Sequence, residues 1–386
     1  MLIAKGKQHL HLLPSMVTRH GLIAGSTGTG KTVTLQVIAE NLSKAGVPIF
    51  MADVKGDLGG IAHPGSNPKM TERAKKLGVE NFSFSGNSVS TWDIYSSNGS
   101  SIKTTIKSLG VTLISRMLDL TSAQESTLYQ IFKIAEDNKI ILRNVRDVYS
   151  IINYIIEHVD EYESAYGRIS KVSCGTLQRA LLAFEDGGQD VLFDTYGNVF
   201  DIRNFMALDA QGHGIINLLD ATRLIHSPRV YALFLLWMLN ELFMVLPEAG
   251  DLDKPKMAFF FDEAHLLFRD APKVLVEQVE KLVKLIRSKG VGVFFITQNP
   301  ADIPDTILSQ LGNRVQHAMR CFTPKEQKAL KTISQTFRTS SASTVETAIT
   351  QLGIGEALIS FLDKEGIPNY VQRAKVCPPA SQIGVN

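Results

Sequence analysis

The octapeptide GSTGTGKT at residues 25–32 constrains the fold of this chain more than any other feature. It matches the pattern G-x-x-x-x-G-K-[ST], in which backbone N–H groups of a Gly-rich loop surround the phosphates of a nucleotide. An apolar run, His20–Ala24, predicts a buried strand before the loop, and Lys31 to about Ala45 has the pattern of a helix. A strand, a phosphate loop and a helix in this order predict an α/β fold as well as a nucleotide ligand.

The residues of this loop have distinct expected roles. Lys31 reaches the β- and γ-phosphate oxygens, and the hydroxyl of Thr32 binds Mg²⁺. We expect the Lys31 side chain to face solvent when no nucleotide is bound. The residues predicted to bind ATP and its Mg²⁺ are Ser26, Thr27, Gly28, Thr29, Gly30, Lys31 and Thr32.

Apolar runs that suit buried strands alternate with helical patterns along most of the chain. Several runs are continuous rather than alternating, as expected for parallel strands buried on both faces. Residues 100–189 differ, because their apolar positions recur at helical spacing and predict an all-α insertion. The core is therefore predicted to comprise residues 1–99 and 190–386. The predicted strands after the first are Val47–Ala52, Ile215–Leu219, Met257–Phe261, Gly292–Thr297, Val315–Arg320, Ala357–Leu362 and Tyr370–Val376.

Bulk composition narrows the class of protein without defining its function. The 386 residues are 44% hydrophobic and 20% charged, which is ordinary for a soluble globular protein, and a net charge of +2 gives no global basic face for nucleic acid. The three cysteines lack metal-ligand spacing, and the N-terminal apolar stretch is too interrupted for a secretory signal, so we expect a reducing, cytoplasmic location. Val230–Leu246 is apolar, but Asn240 and Glu241 near its middle favour a buried core helix over a membrane span.

Two adjacent acids follow the strand predicted at Met257–Phe261. Asp262, at the carboxyl end of a parallel strand, can reach Mg²⁺ beside the phosphates, and Glu263 can activate the attacking water as a general base. Gln298 ends the next predicted strand, where its amide can bind phosphate or water and sense hydrolysis. A kinase for a small acceptor does not need the second acid, so the pair favours an ATP hydrolase.

Other charged residues leave alternatives open. Arg314 and Arg320 flank a predicted strand, and each can either reach the γ-phosphate of a neighbouring subunit or form an ordinary surface ion pair. The Asp53–Asp57 segment can face the nucleotide or serve structural ion pairing. The basic runs Lys281–Lys289 and Lys325–Lys331 suit either phosphate contacts or solvated helix faces.

Together these motifs resemble the HerA/FtsK superfamily of ATP-driven DNA translocases, most closely the bacterial HerA-like family of the YjgR type. The segments that carry the resemblance lie in order between Arg19 and Arg320: RHGLIAGSTGTGKT, ADVKGDL, FFFDEAHLLF, RSKGVGVFFITQNPADIP and GNRVQHAMR. The resemblance implies a RecA-like core with strand order 5-1-4-3-2, and a hexameric ring that binds nucleotide between subunits. It also implies that Arg320 is an arginine finger acting in trans from the edge strand of the sheet, with Arg314 a weaker candidate.

The sequence also departs from that family. HerA proteins usually carry a β-barrel before the ATPase core, and the 24 residues before Gly25 are too few for one. YjgR-like chains also tend to continue further at the C-terminus. These differences bear on ring assembly and partner docking rather than on nucleotide chemistry.

We therefore expect a Mg²⁺-dependent ATPase that moves along double-stranded DNA as a homo-oligomer, a hexamer, without a membrane. One alternative is a non-translocating ATPase that powers or scaffolds a partner protein such as a nuclease or effector. The near-neutral charge and the missing barrel favour that alternative, whereas the full set of motor motifs favours translocation. The other alternative is a P-loop kinase for a small acceptor.

Overall fold

A computed structural model gives the positions of residues 1–193, 199–268, 273–339 and 342–384, and the structural statements below concern these residues. They form a mixed α/β structure around one large sheet. The strands are β1 Leu2–Lys5, β2 His9–His11, β3 Gly21–Ala24, β4 Ile49–Asp53, β5 Val89–Asp93, β6 Ser100–Ser101, β7 Ile216–Asp220, β8 Met257–Phe261, β9 Val291–Thr297, β10 Asn313–Gln316, β11 Glu356–Ser360 and β12 Gln372–Val376.

In the described part of the chain, the sheet has twelve strands in the order β2-β1-β12-β11-β10-β3-β9-β8-β4-β7-β5-β6. The eight strands from β10 to β6 pair in parallel, and β11, β12, β1 and β2 continue the sheet in antiparallel pairs. The run β10-β3-β9-β8-β4 has the neighbours that the order 5-1-4-3-2 requires when those five strands are numbered along the chain. Each strand predicted from an apolar run, except the one at Val315–Arg320, is found with its ends shifted by at most two residues.

Two expectations about the end of this sheet are wrong. The strand predicted at Val315–Arg320 is instead Asn313–Gln316, so Arg320 lies in the segment after β10. β10 is also not the edge of the sheet, because β11 pairs with it and β12, β1 and β2 lie beyond. These outer strands come from both ends of the chain, and their antiparallel pairing leaves no local signal near β10.

Helices cover both faces of the sheet. Five consecutive helices, α3 to α7 in the list below, fill the stretch in which an all-α insertion was expected, and their hydrophobic core is continuous with one face of the sheet. The division into a core of residues 1–99 and 190–386 and a separate subdomain at 100–189 stays a prediction. The helices are α1 Lys31–Lys44, α2 Pro68–Leu77, α3 Ile106–Met117, α4 Ser122–Asp137, α5 Val145–Glu157, α6 Val159–Tyr166, α7 Lys171–Asp186, α8 Pro228–Val245, α9 Lys273–Ile286, α10 Asp305–Leu308, α11 Pro324–Gln335 and α12 Ala342–Thr350.

The apolar helix α8 belongs to the protein core. Among the described residues, it is the one helix that is long and apolar enough, by length and composition alone, to cross a membrane. Of the residues of α8, 61% are buried inside the protein, and Tyr231, Phe234 and Trp237 are almost completely inaccessible. α8 therefore has the packing of the buried core helix predicted at Val230–Leu246.

Burial on both faces fixes the central strands side by side. Phe259 and Phe261 of β8 point into the core that contains α8, whereas Phe260 points to the opposite core beside α1. Each fully buried phenylalanine contributes about 1.5–3 kcal/mol relative to an exposed one. Because β3, β9 and β8 are adjacent and parallel, the residues that follow them, including Gly25, lie at one end of the sheet.

Candidate active site

The phosphate loop joins β3 to α1 in a backbone conformation that favours glycine. Gly25 and Gly30 have φ values of 148° and 114°. A Cβ on Gly25 would lie 2.5 Å from the Cβ of His317, so the loop passes directly against the segment after β10. The Ser26 N–H donates to a carbonyl of that segment at 2.8 Å and holds the loop there. The result is a glycine-shaped loop at a helix N-terminus, which is a suitable site for phosphate.

Lys31 is buried, with 6% of its surface exposed, so our expectation that it faces solvent is wrong. Its Nζ donates to the carbonyl oxygens of Gly25 at 2.7 Å and Ser26 at 3.2 Å. Burial lowers the pKa of Lys31 and so does the charge of Lys55, whereas the acids after β8 oppose this shift. The loop thus satisfies the ammonium with its own carbonyl oxygens, which phosphate oxygens can replace.

Of the remaining loop residues, some stabilise the loop and others are exposed to solvent. Thr29 is buried, and its hydroxyl donates to the Ser26 carbonyl at 2.7 Å, so this side chain stabilises the loop itself. Thr27 and Gly28 form the exposed tip. Thr32 lies half-buried in the first turn of α1.

Asp262 provides a buried carboxylate at the end of β8. Only 4% of its surface is exposed, and burial together with the charge of Glu263 raises its pKa to about 6. A carboxylate in such a place gains stability when a cation approaches. Among the described residues, no cluster of three or more His, Cys, Asp or Glu forms a complete metal site. Asp262 and Thr32 fit Mg²⁺ instead, because this ion usually takes one or two protein oxygens and completes its shell with phosphates and water.

Glu263 is buried and held by several polar groups. Its backbone has φ 47° and ψ 46°, a left-handed conformation that is unusual for a non-glycine residue and is found at functional sites. Its carboxylate forms an ion pair with Lys55, and the Nδ1 of His265 lies 3.2 Å from Oε2 without hydrogen-bond geometry. Burial alone would raise the pKa of Glu263, but His265, Lys55 and Gln298 outweigh it and lower the pKa to about 2.

Lys55 is a site residue whose role the sequence left open. Asp53 ends β4, and its carboxylate accepts hydrogen bonds from the N–H groups of Gly56 at 2.7 Å, Asp57 at 3.2 Å and Leu58 at 3.0 Å. This turn presents Lys55 to Glu263. Asp53 therefore has a structural role, whereas Lys55 lies among the charged groups of the site. In the sequence, a lysine two residues after a strand is a weak sign of a site residue, because its partner depends on which strand lies beside its own strand in the sheet.

Gln298 joins the same group from β9. Its Nε2 lies 3.4 Å from both carboxylate oxygens of Glu263 and is a donor to them. The structure thus brings together the side chains predicted as general base and sensor.

The two candidate arginines differ in position. Arg320 is exposed, and its backbone N–H donates to the Ser26 hydroxyl at 3.0 Å, so its main chain touches the phosphate loop while its side chain faces solvent. Arg314 is half-buried and turns into its own chain, where Nε donates to Leu311 and Nη2 to Leu308, each at 3.1 Å. An outward-pointing finger is therefore compatible with Arg320, whereas Arg314 does not point out of its chain in this structure.

His317, which sequence reasoning missed, supports the loop from behind. Its Nδ1 contacts the Glu356 carbonyl at 2.9 Å, and its Nε2 contacts the Thr34 hydroxyl at 2.8 Å. Burial lowers the pKa of His317 to about 4, so the ring is neutral near pH 7. This residue links β11 to α1 across the phosphate loop.

Comparison with known families identifies one match. The model of the family described as helicase HerA-like C-terminal matches residues 2–385. No curated protein sequence is significantly similar to the chain.

Solved structures share the fold at low sequence identity. The bacterial conjugative coupling protein TrwB, in an unbound form, has a TM-score of 0.61 and 14% identity, covering 94% of this chain and 86% of its own. VirB4 of Thermoanaerobacter pseudethanolicus has a TM-score of 0.60 and 14% identity, covering 100% and 96%. TrwB in complex with ADP and Mg²⁺ has a TM-score of 0.55 and 15% identity, covering 95% and 89%. The fold is thus that of RecA-like P-loop ATPases, as predicted.

Proposed function

This chain belongs to the helicase HerA-like C-terminal family, a branch of the HerA/FtsK-type P-loop ATPases, and from this premise we propose that it hydrolyses ATP to move along double-stranded DNA as a hexamer. One observation carries the ATPase part of the proposal. A phosphate loop with Lys31, a buried Asp262 and a Glu263–Gln298 pair converge at one end of the sheet.

In this proposal, Lys31 and the loop N–H groups bind the phosphates, and Thr32 and Asp262 would hold Mg²⁺. When bound there, the ion would supply positive charge that stabilises the negative charge of the reacting phosphates. Glu263 orients a water and accepts its proton as the oxygen attacks the γ-phosphorus. The bond from that phosphorus to the bridging oxygen breaks, and ADP and phosphate leave.

Lys55 controls when Glu263 is basic. A carboxylate with a pKa of about 2 is a poor proton acceptor, and Lys55 is one cause of that low value. Lys55 also lies close enough to Lys31 to lower its pKa, so it belongs to the phosphate region. We propose that Lys55 turns from Glu263 to the γ-phosphate when ATP binds, which raises the basicity of Glu263.

The second acid favours hydrolysis over phosphoryl transfer to a small acceptor. A purified kinase incubated with ATP and no acceptor releases almost no phosphate, whereas the proposed ATPase releases it continuously. The same incubation without acceptor therefore separates the two activities.

Translocation on DNA is supported by family membership and by exposed basic helix faces. Lys325, Lys328 and Lys331 are exposed on α11, and Lys281 and Lys284 are exposed on α9. Phosphate contacts from such residues give DNA affinity that falls steeply with salt. The net charge of +2 limits this contribution and favours the second candidate, a non-translocating ATPase that drives a partner such as a nuclease or effector protein.

The deciding experiment measures ATP hydrolysis with and without linear double-stranded DNA over a salt series, together with displacement of a third strand from a DNA triplex. The proposal predicts several-fold stimulation that disappears at high salt, and third-strand displacement that requires ATP. The Glu263→Gln variant is the control, since it should bind DNA and ATP without displacing the strand. If the protein hydrolyses ATP at the same rate with and without DNA, translocation is refuted and the non-translocating ATPase that drives a partner protein is favoured.

A further inference from the structure

A cavity lies against β3 and β10 and against the residues that follow the sensor residue Gln298. It has a volume of about 580 Å³ and lies between β10, α11 and residues 299–309. This volume falls within the roughly 300–1,000 Å³ of small-molecule sites. None of the residues predicted to bind ATP is among its described lining residues. Its apolar wall is formed by Leu22, Leu308, Val315, Ala329, Ile333 and Phe337.

A cation without an acidic partner lines this cavity. The guanidinium of Arg314 donates through Nε and Nη2 to main-chain carbonyls, and within the described residues Nη1 donates no hydrogen bond. Among the residues that the structure describes, no carboxylate forms an ion pair with Arg314. Burial lowers the pKa of Arg314, which marks a charge removed from water. An anion beside this half-buried arginine would be favourable, because partial desolvation of an unpaired charge is costly.

Two further cations lie on the same cavity. Lys325 and Lys328 of α11 line it, and neither forms an ion pair within the described ranges. Asp305 is the one acid among the described lining residues. The lining therefore combines three positive side chains and one negative side chain with an apolar wall.

We propose that this cavity binds a small organic anion whose apolar body lies between α11 and β10 and whose carboxylate or phosphate group contacts Arg314. The cavity lining includes Asn299 and Pro300, which directly follow Gln298. A bound anion therefore contacts the segment that carries the sensor residue. The site is separate from the ATP site and does not depend on the ATPase proposal.

The test uses 8-anilinonaphthalene-1-sulfonate, an anion with an apolar body of one naphthalene and one phenyl ring, whose fluorescence rises on binding. N-phenyl-1-naphthylamine has the same apolar body without the charge and is the control probe. Titrations are made on the full chain without nucleotide, so that failure of this proposal is distinguishable from failure of the ATPase. We expect one saturable site per chain for the anion, displaced by octanoate or octyl phosphate and not by octanol. The better of these two competitors identifies the preferred anionic group.

Variants locate the binding. Arg314→Met should weaken binding of the anionic probe at least about tenfold, since hydrogen bonds to charged groups contribute about 1.5–3 kcal/mol, and should leave the neutral probe unaffected. Ala329→Phe should block both probes by filling the cavity. Lys328→Gln should weaken binding of the anionic probe several-fold. Lys331→Gln, on the same helix and outside the cavity lining, is the matched control and should leave the affinity for both probes unchanged.

Arg314→Met also removes two hydrogen bonds to the main chain, so Ala329→Phe and Lys328→Gln keep the test decisive if that variant unfolds. Equal affinity for the anionic probe in the wild type and the Ala329→Phe and Lys328→Gln variants would overturn the proposal. So would displacement of the anionic probe by octanol as effectively as by octanoate.

Discussion

The ion pair between Lys55 and Glu263 can be measured directly by its effect on stability. The proposed perturbation is Lys55→Met, which keeps the length of the side chain and removes its charge. In the nucleotide-free protein this leaves the Glu263 carboxylate, 4% exposed, without its cation. Stripping one partner from a fully buried pair costs about 3–5 kcal/mol, and an exposed pair contributes about 0.2–1 kcal/mol.

The expected magnitude lies between these limits. The Lys55 side chain is 36% exposed, so water screens the pair from one side. The depression of the Glu263 pKa from its usual 4.5 to about 2 corresponds to about 3 kcal/mol. This is the net energy after burial has opposed it, and His265, Lys55 and Gln298 together supply the favourable part. We expect the contribution of Lys55 to be about 1–2 kcal/mol, between the values for exposed and fully buried pairs. Since the folded-state pKa is lowered, this stabilisation is present above pH 4.5 and is lost as pH falls toward 2.

The assay is a double-mutant cycle by urea unfolding at pH 7 without nucleotide. The four proteins are the wild type, Lys55→Met, Glu263→Gln and the double variant. We expect Lys55→Met to cost more in the wild-type background than in the Glu263→Gln background, with a coupling free energy of about 1–2 kcal/mol. Additive effects, within about 0.3–0.5 kcal/mol, would refute the ion pair as the restraint on Glu263.

Three further predictions concern the same site. Lys31→Ala should abolish ATP binding in a fluorescent-nucleotide titration while keeping the wild-type circular dichroism spectrum; retained binding would contradict the phosphate loop. Because the pKa of Asp262 is raised to about 6, the nucleotide-free protein should lose stability as pH rises from about 4 to about 6. Asp262→Asn should remove this loss in urea titrations across that range. If the variant keeps the pH profile of the wild type, the Asp262 carboxylate is not the cause. Arg320→Ala should bind ATP and assemble but hydrolyse slowly, and mixing it with Lys31→Ala should partly restore activity if the arginine acts in trans; a mixture that stays inactive despite confirmed subunit exchange would place Arg320 outside the neighbour's site.

The central strands were predictable from the sequence because their burial leaves a local signal. Met257–Phe261 is a continuous apolar run on a strand buried on both faces, and the acids that follow it had to lie at the carboxyl end of the sheet. By contrast, Val89–Asp93 and Ser100–Ser101 lie toward the edge of the sheet and carry polar residues, so they were missed.

Side-chain partners were less predictable than backbone positions. The pairing of Lys55 with Glu263 depends on β4 lying beside β8, which no local pattern specifies. The Lys31 side chain points inward because carbonyl oxygens of the loop accept its hydrogen bonds. The phosphate-loop motif describes contacts with bound nucleotide and gives no information about these carbonyls. The sequence predicts that Arg320 lies at a sheet edge, but four antiparallel strands lie beyond β10. These strands come from distant parts of the chain, so the residues near Arg320 carry no sign of them.

The most direct test of the central claim compares ATP binding with ATP hydrolysis in the wild type and the Glu263→Gln variant. Both proteins should bind ATP with Mg²⁺, and the wild type should release phosphate without any acceptor. Glu263→Gln should hydrolyse ATP about 10²–10⁴ times more slowly, since that is the usual contribution of a general base. Equal hydrolysis rates in the two proteins, or loss of ATP binding in the variant, would contradict the assignment of this site as an ATPase with Glu263 as its base.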